Sequence, residues 1–216
     1  GPERPVIMAV HPHGVASDYR ILMDGMLYEA LPGRPVYTLA ASVLFRIPFV
    51  RELCLWTRCI DASRKIAARA LKHGHSLMVI PGGEMEQIRT KPGVEEVCLS
   101  TRQGFVKLAL QNGAALVPCY AFGCVDLYDT YSLFFGLREK LRKKFGVCIP
   151  LYSGSIGVLP KRLPLDLVIG EPLEVACANR EAPTNEEIAA AHAAYVDALR
   201  ALFDAHKAEF GYGERA

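Results

Sequence analysis

The densest group of chemically active side chains is His11-Pro12-His13-Gly14-Val15-Ala16-Ser17-Asp18. Four residues separate His13 from Asp18, so a turn after Gly14 can bring the carboxylate to one imidazole nitrogen. A carboxylate placed there would fix the tautomer of the ring and stabilise the imidazolium that forms when His13 removes a proton from a hydroxyl. The spacing therefore predicts a general base, His13, oriented by Asp18. In the alternative interpretation, Asp18 or Ser17 caps the next helix and backbone groups satisfy both histidines.

A second polar group, Pro81-Gly82-Gly83-Glu84-Met85-Glu86-Gln87-Ile88-Arg89, follows a short apolar run. Paired glycines let a ligand approach the backbone and can aim N–H groups at an oxyanion or a phosphate. We expect Glu86 and Arg89 at the rim of that site, on the same side of the sheet as His13. The alternative is a glycine-rich turn with solvated charges.

A proline interrupts the apolar stretch Leu116-Val117-Pro118-Cys119-Tyr120-Ala121-Phe122-Gly123. Proline lacks the N–H that a sheet ladder needs. Taken by itself, Pro118 therefore predicts an edge strand or a bulge.

The elements that must position these groups are short apolar runs alternating with helical patterns. The runs that predict buried strands are Val6–Val10, Val36–Ala41, Leu77–Ile80, Ala115–Tyr120, Val147–Tyr152 and Leu165–Ile169. This alternation is typical of an α/β fold with a mixed, mainly parallel central sheet flanked by helices. We expect residues 1–216 to form a single domain, with functional residues on the loops at the strand ends.

Three helices have start and stop signals. Ser100–Gln103 has the spacing of a capping box before an apolar face, and Asn112-Gly113 supplies the end. Thr184–Glu187 repeats the spacing before a helix that should run toward Gly211. A third helix is predicted from about Asp61 to His73, stopped by Gly74.

Composition excludes several classes of protein. The chain of 216 residues is 51% hydrophobic and has a formal net charge of only +2, so neither disorder nor nucleic-acid binding is expected. Seven cysteines without a C-x-x-C pair indicate reduced core residues of a reducing compartment. No run approaches the roughly 18 to 20 apolar residues of a membrane-spanning helix. The opening Gly1-Pro2 resembles a protease scar, so we expect the catalytic part of a longer protein.

In this order, the segments resemble the type 2 diacylglycerol acyltransferase branch of the glycerolipid acyltransferase superfamily, over nearly the whole chain. The matching blocks are His11-Pro12-His13-Gly14, Phe45-Arg46-Ile47-Pro48 with Arg51-Glu52 and Ser63-Arg64, Pro81-Gly82-Gly83 through Glu86, Thr101 through Ala109 with Leu116-Val117-Pro118 and Phe122-Gly123, and Gly170-Glu171-Pro172. The ordered set is far more specific than any single block.

The resemblance implies direct transfer of an acyl group from acyl-CoA to a lipid alcohol such as diacylglycerol, with His13 as base and without a cofactor. The substrate-binding residues it implies are His11, Gly14, Arg46, Gly82, Gly83, Glu86, Arg89 and Pro118. It also implies a place on the cytoplasmic side of the endoplasmic reticulum, on lipid droplets or in the cytoplasm. The chain departs from the branch in having Asp18 five positions beyond His13, which satisfies the His-x4-Asp rule of the wider superfamily, and in having Cys124 where relatives usually have a polar residue.

Two other functions stay open. A non-catalytic relative would keep the fold as a lipid-binding module or as a subunit of a larger assembly. A metal-dependent hydrolase would use His11 and His13 as ligands, with His73 and His75 as a second pair. Separately, Leu133–Phe145 mixes apolar and basic residues, which suits either an anionic membrane surface, the phosphates of coenzyme A or an ordinary solvated helix.

Overall fold

A six-stranded sheet forms the centre of the computed structural model, which describes residues 4–23, 35–145 and 148–215. The strands of this sheet are β1 (Val6–His11), β2 (Val36–Ala40), β3 (Cys59–Asp61), β4 (Ser76–Val79), β5 (Ala115–Phe122) and β8 (Asp166–Ile169). Their spatial order is β3-β2-β4-β1-β5-β8, and only the β5–β8 pair is antiparallel. Two short strands, β6 (Asp129–Thr130) and β7 (Tyr152–Ser153), pair separately. The predicted α/β class with a mainly parallel sheet is confirmed.

Helices connect the strands. They are α1 (Tyr19–Leu22), α2 (Val50–Trp56), α3 (Arg64–Lys72), α4 (Gly83–Arg89), α5 (Gly104–Asn112), α6 (Phe135–Phe145) and α7 (Asn185–His206), with 3-10 turns at Ser42–Arg46 and Cys124–Asp126. Odd-numbered residues of β1, such as Ile7 and Ala9, pack with residues of α3, α5 and α7 on one face of the sheet. Even-numbered ones, such as Met8 and Val10, pack with Tyr19 on the other. Side chains that alternate across a strand thus fill two apolar layers.

Pro118 lies in a strand with neighbours on both sides, so of its two expected places the edge strand is wrong and the bulge is right. It pairs with Ala9 of β1 on one side, and its carbonyl accepts a hydrogen bond from the N–H of Gly170 on the other, over 2.8 Å. The pairing shifts by one residue there, because Cys119 opposes Ile169 whereas Leu116 opposes Leu173. Because of this bulge at Gly170–Leu173, no carbonyl of the neighbouring strand needs the N–H that Pro118 lacks.

Several local predictions are confirmed and others are wrong. Thr184 forms the expected capping box with Glu187, whereas the helix predicted from Ser100 begins at Gly104 with no side-chain cap. The third helix begins at Arg64, because Asp61 belongs to β3. The predicted strand Val147–Tyr152 is wrong in the part that the structure describes, where strand pairing begins at Tyr152. Its first residue, Val147, lies outside the described residues.

Candidate functional site

The loop after β1 turns sharply at Gly14 and places His13 at the end of the sheet. Gly14 has a φ of +64°, which favours glycine, and a Cβ there would overlap the Sγ atom of Cys124. Cys124 follows β5 after Gly123 and is buried, and burial raises the pKa of its thiol well above the ordinary value. Cys124 is therefore the residue against which the histidine loop packs.

The imidazole of His13 is half-buried and held in one orientation by its neighbour. Its Nδ1 atom lies 3.0 Å from the carbonyl oxygen of Gly14. Because a carbonyl can only accept, Nδ1 carries the proton and the neutral ring keeps a lone pair on Nε2. Ser17 Oγ lies 3.3 and 3.4 Å from the two ring nitrogens and donates to the His13 carbonyl over 3.1 Å. Burial lowers the pKa of His13 from its ordinary 6.5, against the opposing effects of the Gly14 carbonyl and the Glu86 charge, which favours the neutral base.

The carboxylate of Glu86 is buried beneath this loop, with the residue only 3% exposed. Oε2 accepts from the N–H of His13 and Oε1 from the N–H of Cys98, each over 2.7 Å. Burial acts to raise the pKa of Glu86, but His11 and the two backbone donors outweigh it, so the pKa is lowered. We expected Glu86 at the rim of the site, and the structure instead places it beneath the loop, which it supports.

His11 contacts the other side of the same carboxylate. Its Nδ1 lies 3.8 Å from Glu86 Oε1, an ion-pair distance when the ring is protonated. Its Nε2 lies 3.1 Å from the hydroxyl of Tyr195, which itself donates to the carbonyl of Ala9 over 3.0 Å. Because the hydroxyl of Tyr195 donates its proton to Ala9, it can only accept from Nε2 of His11, which must therefore carry a proton. Tyr195 lies on the buried face of α7, and no local signal in the sequence pointed to this contact.

Asp18 is buried near the loop but contacts a different partner from the one expected. Its Oδ1 accepts from the hydroxyl of Tyr128 over 2.6 Å, and its Oδ2 is buried without a hydrogen bond. In the part of the chain that the structure describes, no hydrogen bond joins Asp18 to His13. The carbonyl of Gly14 holds the ring instead, and an orienting role of Asp18 stays a prediction.

Of the remaining expected site residues, the two glycines lie near Glu86 and the two arginines are exposed at the surface. Gly82 lies over Glu86 so closely that a Cβ would overlap the carboxyl group, whereas a Cβ on Gly83 would meet nothing within 4 Å. Gln87 joins the two loops, since its side chain donates to the carbonyl of Val15 over 2.6 Å. Arg46 is exposed on the turn after β2. Hydrogen bonds from Ser42 and Ser63 lower the pKa of Asp61, and the charge of Arg46 lowers it further. Exposed Arg89 lies 3.3 Å from Glu96.

The structure thus brings His11, His13, Gly14, Gly82 and Glu86 into one connected group. Among the described residues, no hydrogen bond or ion pair joins Arg46, Arg89 or Pro118 to it. In the same described part, no three His, Cys, Asp or Glu side chains converge in a way that could hold a metal ion.

A loop that sequence reasoning did not single out borders the site. Cys98, which donates to Glu86, ends the segment 91–98, and Arg215 holds this segment from the far end of the chain. Nη1 of Arg215 lies 2.7 Å from both Glu95 Oε1 and Asp126 Oδ2. The other oxygens of these carboxylates accept from Tyr120 and from the N–H of Gly93. The two carboxylates raise the pKa of Arg215 despite its partial burial.

A cavity of about 480 Å³ opens at the ends of β2 and β4, between α3 and α5. Its walls are mostly apolar and include Leu39, Ile80, Phe105 and Leu108, with cationic side chains from Arg64, Lys65 and Lys107. Ile80 directly precedes Pro81-Gly82, so the cavity lies beside the turn that covers Glu86.

The fold and the sequence both match acyltransferases. The structure of the 1-acyl-sn-glycerophosphate acyltransferase PlsC from Thermotoga maritima superposes with a TM-score of 0.52 at 17% identity, over 94% of this chain and 68% of that one, which shows the shared fold. The sequence model of the family described as diacylglycerol acyltransferase matches residues 1–215.

Individual relatives agree. A protein named diacylglycerol O-acyltransferase 2 from Dictyostelium discoideum is 35% identical over 95% of this chain and 67% of its own length. The human protein named acyl-CoA wax alcohol acyltransferase 2 is 34% identical over 99% of this chain and 69% of its own. This chain belongs to the diacylglycerol acyltransferase family, whose members are O-acyltransferases of lipid metabolism.

Within the described residues, the structure contains no helix of the length and apolar character needed to cross a bilayer.

Proposed function

We propose that this protein transfers a fatty acyl group from acyl-CoA to the hydroxyl of a lipid alcohol, with His13 as the general base. The observation that carries the proposal is the contact between His13 Nδ1 and the Gly14 carbonyl, because it leaves the lone pair of Nε2 to accept a proton. The lowered pKa of His13 keeps that lone pair available near neutral pH.

In the proposed reaction, Nε2 takes the proton of the alcohol as its oxygen attacks the thioester carbonyl carbon. The C–S bond then breaks, the coenzyme A thiolate takes the proton back from the imidazolium, and the ester leaves. Backbone N–H groups of the Gly82-Gly83 turn would hold the oxyanion. Since the acyl group passes directly to the alcohol, no acyl-enzyme forms and no cofactor is required.

The cavity between α3 and α5 supports a place for the acyl donor. An apolar cleft of about 480 Å³ suits part of an acyl chain, and Arg64, Lys65 and Lys107 suit phosphate groups of coenzyme A. Arg46, Arg89 and Pro118 keep a substrate-binding role only as the resemblance implies it. Relatives named for diacylglycerol and for wax alcohols match about equally well, so the acceptor class proposed is a lipid alcohol of either kind.

A peripheral position at a lipid surface belongs to the same proposal, on the cytoplasmic side of the endoplasmic reticulum or on a lipid droplet. The basic and apolar stretch Leu133–Phe145 supports it, since Leu133, Phe134 and Leu137 are between 58% and 67% exposed. Burial of Arg138, which donates to three backbone carbonyls, shows that one cation of this stretch is structural.

The test is to incubate the protein with labelled acyl-CoA and a panel of diacylglycerol, monoacylglycerol, long-chain alcohol and sterol, measuring both the ester and the released thiol. We expect His13→Ala to lower turnover by about 10²- to 10⁴-fold, the range for loss of a general base, while acyl-CoA still binds. Exposed His73, replaced by alanine, is the matched control. A folded protein that binds acyl-CoA but turns over no acceptor would instead support the non-catalytic module.

A further inference from the structure

The segment Ser42–Trp56, which we call the docking segment, leaves most of its large apolar residues exposed. Of its nine large apolar side chains, Leu44, Phe45 and Val50 pack against a small buried cluster that includes Cys54. The other six are exposed, namely Val43, Ile47, Phe49, Leu53, Leu55 and Trp56. Six exposed apolar residues within 15 consecutive positions form the kind of surface patch that marks a binding site.

The backbone presents two aromatic residues outward. Phe49 has a φ of +65° and a ψ of −46°, the strained, positive-φ form of the γ-turn, which is closed by a hydrogen bond of 2.8 Å from the N–H of Val50 to the carbonyl of Pro48, and Phe49 is 88% exposed. Trp56 ends α2 with 77% of its surface exposed. A strained turn that keeps a phenylalanine in water contributes nothing to the core, which favours a role for Phe49 in binding.

The chemistry of the docking segment identifies the partner. Between Ser42 and Trp56 the chain has two arginines, Arg46 and Arg51, and one acid, Glu52, which pairs with Arg51. Aromatic and aliphatic side chains interspersed with arginine match the boundary between acyl chains and anionic headgroups. The segment also follows the carboxyl end of β2, the edge of the sheet where β1 presents His13. We propose that the docking segment binds the surface of an anionic lipid bilayer, with Phe49 and Trp56 entering the acyl boundary.

This inference concerns a different surface from Leu133–Phe145 and can be tested without catalysis. Trp56 is the only tryptophan of the chain, so its fluorescence reports directly on the segment. The probes are vesicles of phosphatidylcholine and vesicles of phosphatidylcholine with phosphatidylserine, added to the protein without acyl-CoA or acceptor. We expect the Trp56 emission to move to shorter wavelength with vesicles, and more so when phosphatidylserine is present.

The variant Phe49→Asn with Leu53→Gln removes apolar surface and keeps the reporter. It should lower the vesicle partition coefficient about tenfold or more. The matched control, Ile156→Asn with Val158→Gln, changes two residues that are 76% and 66% exposed on another loop. The control and His13→Ala should partition like the wild type, and circular dichroism should show all variants folded.

Unchanged Trp56 emission on both kinds of vesicle would overturn the proposal. So would equal binding by the docking variant, or an equal loss in the loop control, because the contact would then not be confined to this segment. A concentration-dependent emission shift without lipid, together with a dimer in sizing experiments, would assign the segment to a second copy of the chain instead. None of these results depends on acyl transfer, so the catalytic proposal stands or fails separately.

Discussion

The backbone N–H of His13 donates to Oε2 of Glu86 over 2.7 Å, and this contact joins the two loops that the sequence had presented as separate groups. One buried carboxylate therefore determines where the proposed base lies and also contributes negative charge beside its ring. The same carboxylate accepts a hydrogen bond from the N–H of Cys98 and lies 3.8 Å from Nδ1 of His11. The segment that contains His11 and His13 and the segment that ends at Cys98 thus both depend on this one side chain.

The pH dependence of turnover should report this arrangement. Burial lowers the pKa of His13 below 6.5, while the Glu86 charge opposes that shift, so the acid limb of kcat/KM should have its midpoint below 6.5. Glu86→Gln keeps the shape but removes the charge that stabilises the imidazolium, so we expect the limb to move to still lower pH. Rate measurements across the acid range decide this. A limb that stays in place in the variant would separate Glu86 from the titration of His13.

Stability should depend on pH through Glu86 as well. Its folded pKa is lowered from the ordinary 4.5, so the carboxylate stabilises the fold above that value, and the contribution is lost as pH falls through the folded pKa. The difference in free energy of unfolding between the wild type and Glu86→Gln should therefore shrink in acid. Urea unfolding of both proteins over that range measures it, and a difference that grows with acidity would contradict the assigned direction.

The adjacent glycines provide a matched pair. Gly82 has an ordinary helical φ of −61°, but a Cβ there would overlap the Glu86 carboxyl group, so Gly82→Ala should displace Glu86 and lower turnover strongly. Gly83 has a φ of +54° in open space, so Gly83→Ala should cost about 1–2 kcal/mol of stability and leave the carboxylate in place. Turnover and unfolding of both variants test this. A larger loss of turnover in Gly83→Ala would show that the second glycine contacts substrate directly.

The sequence was informative where a function depends on local spacing and uninformative where it depends on distant contacts. The order of apolar runs predicted the parallel strands, because buried strands have a recognisable composition. The 3-residue β3 and the helix after Gly83 were missed, since short elements held by tertiary contacts have weak local signals. Glu86 was expected at the rim of the site and not beneath it, because nothing in its own segment reveals His11, His13 and Cys98 around it.

Asp18 shows the same limit. Its spacing from His13 is correct for a contact, but Tyr128, which lies 110 positions away, donates to its carboxylate instead. Burial and the charge of Asp18 raise the pKa of the Tyr128 hydroxyl, which therefore stays a donor. If Asp18 supports catalysis through this contact, Tyr128→Phe should lower kcat nearly as much as Asp18→Asn does. If Asp18 instead acts directly on His13 in the substrate complex, only Asp18→Asn should lower kcat clearly, so kinetics of the two variants with a confirmed acceptor distinguish the two roles.

Arg215 should influence the site from a distance. It holds Glu95 and Asp126, and through them the segment whose last N–H, from Cys98, supports Glu86. We expect Arg215→Ala to lower kcat with little change in KM for acyl-CoA and to be partly rescued by Arg215→Lys, since lysine restores the charge but not the planar guanidinium group. The control is Arg200→Ala, because Arg200 lies on the exposed surface of α7 and has only a 3.9 Å ion pair with Asp197.

In a double-mutant cycle of Arg215→Ala with Glu95→Gln, the effects on kcat should be clearly non-additive because the two groups act as one unit. Additive effects, or a loss confined to thermal stability, would limit Arg215 to a structural role.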